Sequence, residues 1–130
     1  MLLQWLCALL ALTYHPHRVV LRRARIRYAL TEVTQVHHII PHELLYHPVC
    51  ADLQIDAGPN VMLLPNDLGK RLIETERPVH QGGHVRYNVY TKARLDFVYH
   101  AECAAMYPLK LRELQADLRR LIRTADVPWN

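Results

Sequence analysis

Cysteine is scarce and scattered. Only Cys7, Cys50 and Cys103 occur, with no C-x-x-C pair among them. That argues against a cysteine zinc knuckle, gives no basis for a disulfide framework and makes a reducing compartment the simpler expectation. Glycine is scarce too: Gly58, Gly69, Gly82 and Gly83 are the whole complement, so the tight turns are expected between residues 58 and 83. A membrane-spanning helix needs about 20 apolar residues. The run MLLQWLCALLAL at residues 1–12 falls short of that, and no stable membrane span is expected. Internal repeats and low-complexity tracts are absent as well.

What is there fits one domain. A chain of 130 residues leaves no room for a second full domain, yet is long enough to bury a core without staples. With 51 % of residues apolar and 22 % charged, it has the composition of a folded soluble protein, neither disordered nor polytopic. Sixteen Lys and Arg against twelve Asp and Glu give a net charge of +4, which permits a polyanionic partner and equally suits an ordinary basic surface. Nine histidines are an excess that directs attention to metal binding or proton transfer.

Residues 1–12 lack a basic segment before the apolar run and a clean small-x-small site after it. A buried or partner-facing N-terminal helix is therefore expected ahead of a signal segment. Intracellular residence is correspondingly favoured, with secretion through the apolar N-terminus as the alternative. Residues 18–27 carry five arginines and no acid, and their apolar positions fit both a helical and an alternating pattern. Such a segment suits phosphate contacts and suits a wet surface equally. Residues 34–40 (TQVHHII) read as a strand ending at Pro41. Residues 42–55 read as a connection, and residues 61–64 as a second strand closed by Pro65-Asn66-Asp67. A helix is expected over residues 84–106, stopped by Pro108, and an amphipathic one over 109–125 on the spacing of Leu111, Leu114, Leu118, Leu121, Ile122 and Ala125. Within the single domain this gives an N-terminal segment (1–33), a central core (34–106) and a C-terminal amphipathic helix (107–130).

Two histidine groups carry the chemistry. His80 and His84 are four apart with Gly82-Gly83 between them, so both imidazoles can converge on one ion. His37 and His38 are neighbours on a strand and point to opposite faces, which lets one ligate a metal while the other meets a substrate. Each pair alone has an ordinary alternative, a chance helical spacing or two half-buried polar side chains. His42, His47 and His100 have no spacing partner, although His42 follows His38 by four, and His15 and His17 flank Pro16 in an apparent turn with no second pair nearby to complete a metal site. Asp52, Asp56, Glu74 and Glu76 fall in no recognisable acid–base pattern, and Asp56 reads as turn chemistry.

Taken together, VHHIIP, then QIDAGPNVMLLP, then HQGGHVRYN before a long helix resembles the AHH family of the HNH/endonuclease VII nucleases. That family reads A-H-H-I-V-P, a segment ending N-G-V-x-L-P, H-x-G-x-H-x-x-Y-N, then V-x-x-x-L. The matching residues are His37, His38, Ile39, Pro41, Asn60, Val61, Leu64, Pro65, His80, Gly82, His84, Tyr87, Asn88 and Leu95, within residues 36–95. Two departures stand out: Val36 replaces the family's alanine, and Asn60-Val61 preceded by Gly58-Pro59 replaces its Asn-Gly, so the turn is built differently.

The resemblance implies an α+β fold, a ββα-metal finger with flanking helices at both ends. It implies His37, His80 and His84 as ligands of one divalent metal ion, His38 as general base, and Asn60 as the residue that orients the loop and hence the base. Arg86, Tyr87 and Asn88 follow as substrate contacts or supports of the ligands, with helix packing an equal reading for Tyr87. The implied activity is hydrolysis of nucleic-acid phosphodiesters, DNA first. An inhibitor or immunity protein is an implied partner, since many such nucleases are toxin modules. The chemistry is independently sensible. A neutral imidazole accepts a proton from water near neutral pH, best when its other nitrogen is fixed by a hydrogen bond. Three imidazoles suit zinc, nickel, cobalt or manganese better than magnesium, which prefers oxygen. The competing expectation is a structural zinc in a module that binds nucleic acid without cutting it.

Overall fold

The computed structural model describes residues 17–130. The expectations for residues 1–12, and for Cys7 and His15, fall outside the described residues. The described chain mixes helix and strand around a two-stranded antiparallel sheet, compatible with an α+β fold.

Residues 18–27, ambiguous by pattern, are helical: α1 (Arg18–Arg27) buries Leu21, and the His17 Nδ1 caps it by accepting from Val19 N at 3.2 Å. Arg25 turns back from this helix onto the chain ahead, donating Nε–H to Thr34 Oγ1 at 3.2 Å and a second N–H to the Thr31 carbonyl at 3.1 Å. These contacts lead directly into β1 (Thr34–His38), which pairs with β2 (Val61–Pro65) in the register His37 opposite Met62 and His38 opposite Val61.

The first strand ends two residues earlier than its β-branched sequence predicts. The Asn60 side chain takes the place of a strand partner there. Its Oδ1 accepts from Ile40 N at 2.8 Å and its Nδ2 donates to the Ile40 carbonyl at 3.2 Å, while the Asn60 carbonyl accepts from Ile39 N at 2.7 Å. The connection between the strands contains three short 3-10 turns, His42–Leu44, Pro48–Cys50 and Gly58–Asn60.

Among the described residues, the free edge of β2 meets no third strand. Carbonyls there are bonded by side chains instead: Arg77 donates to Leu63 O at 2.7 Å, and Arg119 donates to Gly58 O at 2.8 Å and Val61 O at 2.9 Å. Arg119 is buried, and burial pulls its guanidinium down to about 10, which still leaves it charged at neutral pH.

A short helix, α2 (Asp67–Leu72), follows β2 where the sequence suggests only a turn. Asn66 caps it by accepting from Gly69 N at 2.8 Å. Gly69 is required by close approach: a Cβ there would lie 1.9 Å from the Val33 carbonyl oxygen. Gly69→Ala is therefore expected to cost about 2–3 kcal/mol, since the backbone has to move to admit the methyl group. Urea unfolding checks this, and an unchanged midpoint would mean that α2 does not press on the start of β1.

The long helix α3 (Val85–Ala101) stops five residues before its predicted end. The chain extends at Glu102 and Cys103, passes through a 3-10 turn (Ala104–Met106) and enters α4 (Tyr107–Arg123). Pro108 does not terminate a helix but sits in the first turn of α4, where a missing N–H costs no hydrogen bond. The apolar stripe of α4 buries Leu111, Leu114, Leu118 and Ile122 as the spacing predicts, but Leu121 is only half-buried, and Ala125 lies past the end of the helix, exposed and at φ +54°.

Both faces of the sheet are covered, which is why β2 is buried along its length. Val61 and Leu63 pack with Leu21, Leu30, Val33 and Ile73 on the α1 side. Met62 and Leu64 pack with Tyr87, Leu95 and the α4 stripe on the other. Adjacent residues of β1 inherit this division, so His37 and His38 are sent to different environments.

Candidate metal centre

His37 lies on the face of the sheet that meets α3 and α4, opposite Met62. His80 is held beside it because its backbone N–H donates to the Pro65 carbonyl at 2.8 Å, at the end of β2. His84 is the residue that precedes the first turn of α3. Gly82, at φ +56°, adopts the left-handed backbone that turns the chain between the two.

The three rings converge. Centroid separations are 5.5 Å for His37–His80, 5.6 Å for His37–His84 and 4.9 Å for His80–His84. One nitrogen from each lies within 4.8 Å of the others, close enough to bind a metal ion together. Bonds of about 2.1 Å put two donors at most about 4.2 Å apart, so small side-chain rotations complete the approach. The chemistry of the donor set fits such an ion. His37 Nε2, His80 Nδ1 and both ring nitrogens of His84 are buried without a hydrogen bond. Unmatched buried polar atoms are costly unless something else satisfies them.

Burial holds His37 well below the usual imidazole range, and the nearby His80, His84 and His38 push it the same way. Burial also lowers His80, with His84 adding to the effect, and lowers His84 against a raising influence from the Asn130 amide. All three rings are therefore kept in the neutral form that ligates metal. In the metal-free protein the unfolded chain takes up protons first, as pH falls through about 6.5. The stability associated with the neutral rings is thus fully present above about 6.5 and is lost as pH falls toward the lowered native values. The urea midpoint of the chelated protein is expected to decline as pH is taken below that point. A midpoint flat through the same range would mean that water reaches the rings.

Two aromatic residues wall the site. The Tyr87 ring is 5.4 Å from His37, and its hydroxyl donates to the Ile39 carbonyl. Trp129 comes from the tail after α4; its ring is 4.1 Å from that of His84, tilted by 33°, and 5.1 Å from His37. Its indole N–H donates to Val79 O at 2.8 Å. Sequence reasoning misses Trp129, and only an aromatic ring in the short tail after α4 marks it.

His38 takes the opposite face. Its Nε2 is 2.9 Å from Asp56 Oδ1, and its side chain is 21 % exposed. A carboxylate at Nε2 calls for a proton there and leaves Nδ1 as the basic nitrogen. His38 is the chain neighbour of His37 in β1, and a charge on it disfavours protonation of both His37 and His80. The His38 hydrogen bond, with Arg18 assisting, holds the Asp56 carboxyl below its ordinary range. Asp56, a turn residue by its sequence context, is instead the partner of His38. The signal for it is its position four residues ahead of Asn60, in the same turn.

Asn60 is fully buried and does not touch the His38 ring. Besides its bonds to Ile40, its Nδ2 donates to the Ile55 carbonyl at 3.0 Å, and its Oδ1 accepts from Gln115 at 3.1 Å. It fastens the chain leaving His38 to the segment that carries Asp56, and so acts by positioning. Tyr87 is committed to packing by its burial. Asn88 is bonded to Glu43, which ties it to the 3-10 turn, and Arg86 is exposed on the first turn of α3. Of the remaining histidines, His42 and His100 are exposed, whereas His47 is buried with its Nε2 2.9 Å from Asp96 Oδ1.

Among the described residues, no helix is long and apolar enough to cross a membrane. No protein-family model matches the chain, and no curated protein or solved structure matches it either.

Proposed function

We propose that this protein is a metal-dependent nuclease that hydrolyses the phosphodiester backbone of nucleic acid, DNA in the first instance. In this reading β1, β2 and α3 form a ββα-metal finger. The observation that carries it is the convergence of His37, His80 and His84, with unpaired nitrogens, beside a fourth histidine turned away and fixed by a carboxylate. A divalent ion held by the three imidazoles would neutralise charge developing on the leaving oxygen.

The protein's own groups supply the rest. Asp56 holds the proton on His38 Nε2, so Nδ1 can accept one from water. The water oxygen attacks phosphorus, the bond from phosphorus to the leaving oxygen breaks, and His38 carries the abstracted proton as an imidazolium that Asp56 stabilises. Asn60 keeps His38 and Asp56 in register by bonding both chain segments.

A second reading is favoured by the burial of His37 and His84 and by the Trp129 ring 4.1 Å from that of His84. Burial of this kind suits a structural zinc if a fourth donor completes its shell, with nucleic acid bound but not cut. Chelated protein, reconstituted separately with zinc, nickel, cobalt, manganese and magnesium, is to be incubated with supercoiled plasmid and with RNA. Nicking with at least one ion, abolished by chelation, is the result expected of a nuclease. Stoichiometric metal with no cleavage under any ion overturns the catalytic reading.

A further inference from the structure

Beyond Arg18 at its start, the arginine-rich helix α1 has no role in the site as described, yet it is fastened to it. Arg18 N donates to the Asp56 carbonyl at 2.9 Å, and an Arg18 guanidinium nitrogen lies 3.4 Å from Asp56 Oδ1. The helix therefore starts at the carboxylate that orients His38. From there Arg22, Arg23 and Arg27 stand exposed along it, and none of them meets a carboxylate among the described residues. No acid occurs in α1 to offset them. Arg25, by contrast, is turned inward onto Thr31 and Thr34 and is structural. Ten residues at about 1.5 Å each make a helix of about 15 Å. One strand of a duplex presents a phosphate about every 3.4 Å of its axis, and Arg22 to Arg27, about 7.5 Å apart along the helix, therefore cover about three.

We infer that α1 is the track on which the nucleic-acid backbone approaches His38, with Arg22, Arg23 and Arg27 contacting successive phosphates while Arg18 stays on Asp56. The inference rests on the nuclease reading and names the surface by which that site takes its substrate. Contacts of this kind position the duplex and carry no base information, so binding is sequence-tolerant and strongly salt-dependent.

The test uses full-length H38A protein, which binds without cutting, and a short fluorescent DNA duplex followed by anisotropy between about 50 and about 200 mM salt. Adding R22Q, R23Q and R27Q to H38A is expected to make the plot of log affinity against log salt shallower by about 2–3, at about 0.9 for each phosphate no longer neutralised. The single R23Q change is expected to remove about one such unit, and it protects the test should the triple variant fold poorly. R112Q with R120Q on α4, across the sheet, controls for bulk charge and is expected to leave the slope nearly unaltered. An unchanged slope in the triple and single variants overturns the inference, as does an equal loss in the α4 control. Loss of binding to phosphatidylserine vesicles with duplex binding intact overturns it as well, in favour of a membrane surface. If wild-type protein cuts nothing while the α1 variants lose duplex binding, the nuclease reading fails and the α1 surface stands. If wild type cuts and the slope does not move, the reverse holds.

Discussion

Replacing His38 with alanine is expected to lower plasmid cleavage by about 10²–10⁴-fold, the usual contribution of a general base. Metal stoichiometry and the thermal unfolding transition should be nearly unchanged. The imidazole is on the Val61 side of the sheet, partly exposed and not one of the three converging rings. Its removal therefore takes away a proton acceptor without opening the metal cluster. Asp56→Asn should give a smaller loss, about 10–100-fold, in keeping with the effect of groups that orient a reactive side chain from behind. It should also shift the pH profile, because the imidazolium formed during turnover loses its carboxylate. Retention of full cleavage by His38→Ala would falsify the base assignment. Loss of metal together with cleavage would instead place His38 in the ligand set.

The second large effect concerns the ion. Calorimetric titration of the wild type should show one ion per chain, and His80→Ala should weaken binding by at least about 100-fold, more than loss of an outer hydrogen-bond partner usually costs. His80 is chosen because it is only half-buried, whereas His37 and His84 are packed against Trp129. The same ion should stabilise the fold. A ligand at about 1,000 times its dissociation constant adds about 4 kcal/mol when it binds only the native state. Chelation should therefore lower the unfolding temperature of the wild type and leave that of His80→Ala almost unmoved. Equal melting temperatures for wild type with and without metal would mean that the three rings do not share an ion.

Much of the secondary structure is legible in the sequence because its signals are local. The stripe of Leu111, Leu114, Leu118 and Ile122 announces α4, and the β-branched segment before Pro41 announces β1. The helix boundary near Pro108 misleads for an equally local reason. Proline is as acceptable in the first turn of one helix as it is disruptive inside another, and only the extended backbone at Glu102 and Cys103 shows which applies. The arginine-rich segment cannot be typed from its pattern, and Leu21, buried against the sheet, is what makes it a helix face.

The candidate site divides along the same line. The excess of histidine and the two close pairs single out His37, His38, His80 and His84 as candidates, but each pair alone has an ordinary alternative, and the convergence of three of them is decided by the fold. Asp56 beside His38, Trp129 over His84, and Arg77 and Arg119 along the edge of β2 come only from the tertiary structure. Each joins positions far apart in the chain, and no periodicity relates an acid at 56 to a base at 38, or an indole at 129 to a ring at 84. Local sequence dictates which way a side chain leaves its strand or helix. What it meets there depends on how the elements pack, and that is decided by burial of the whole core.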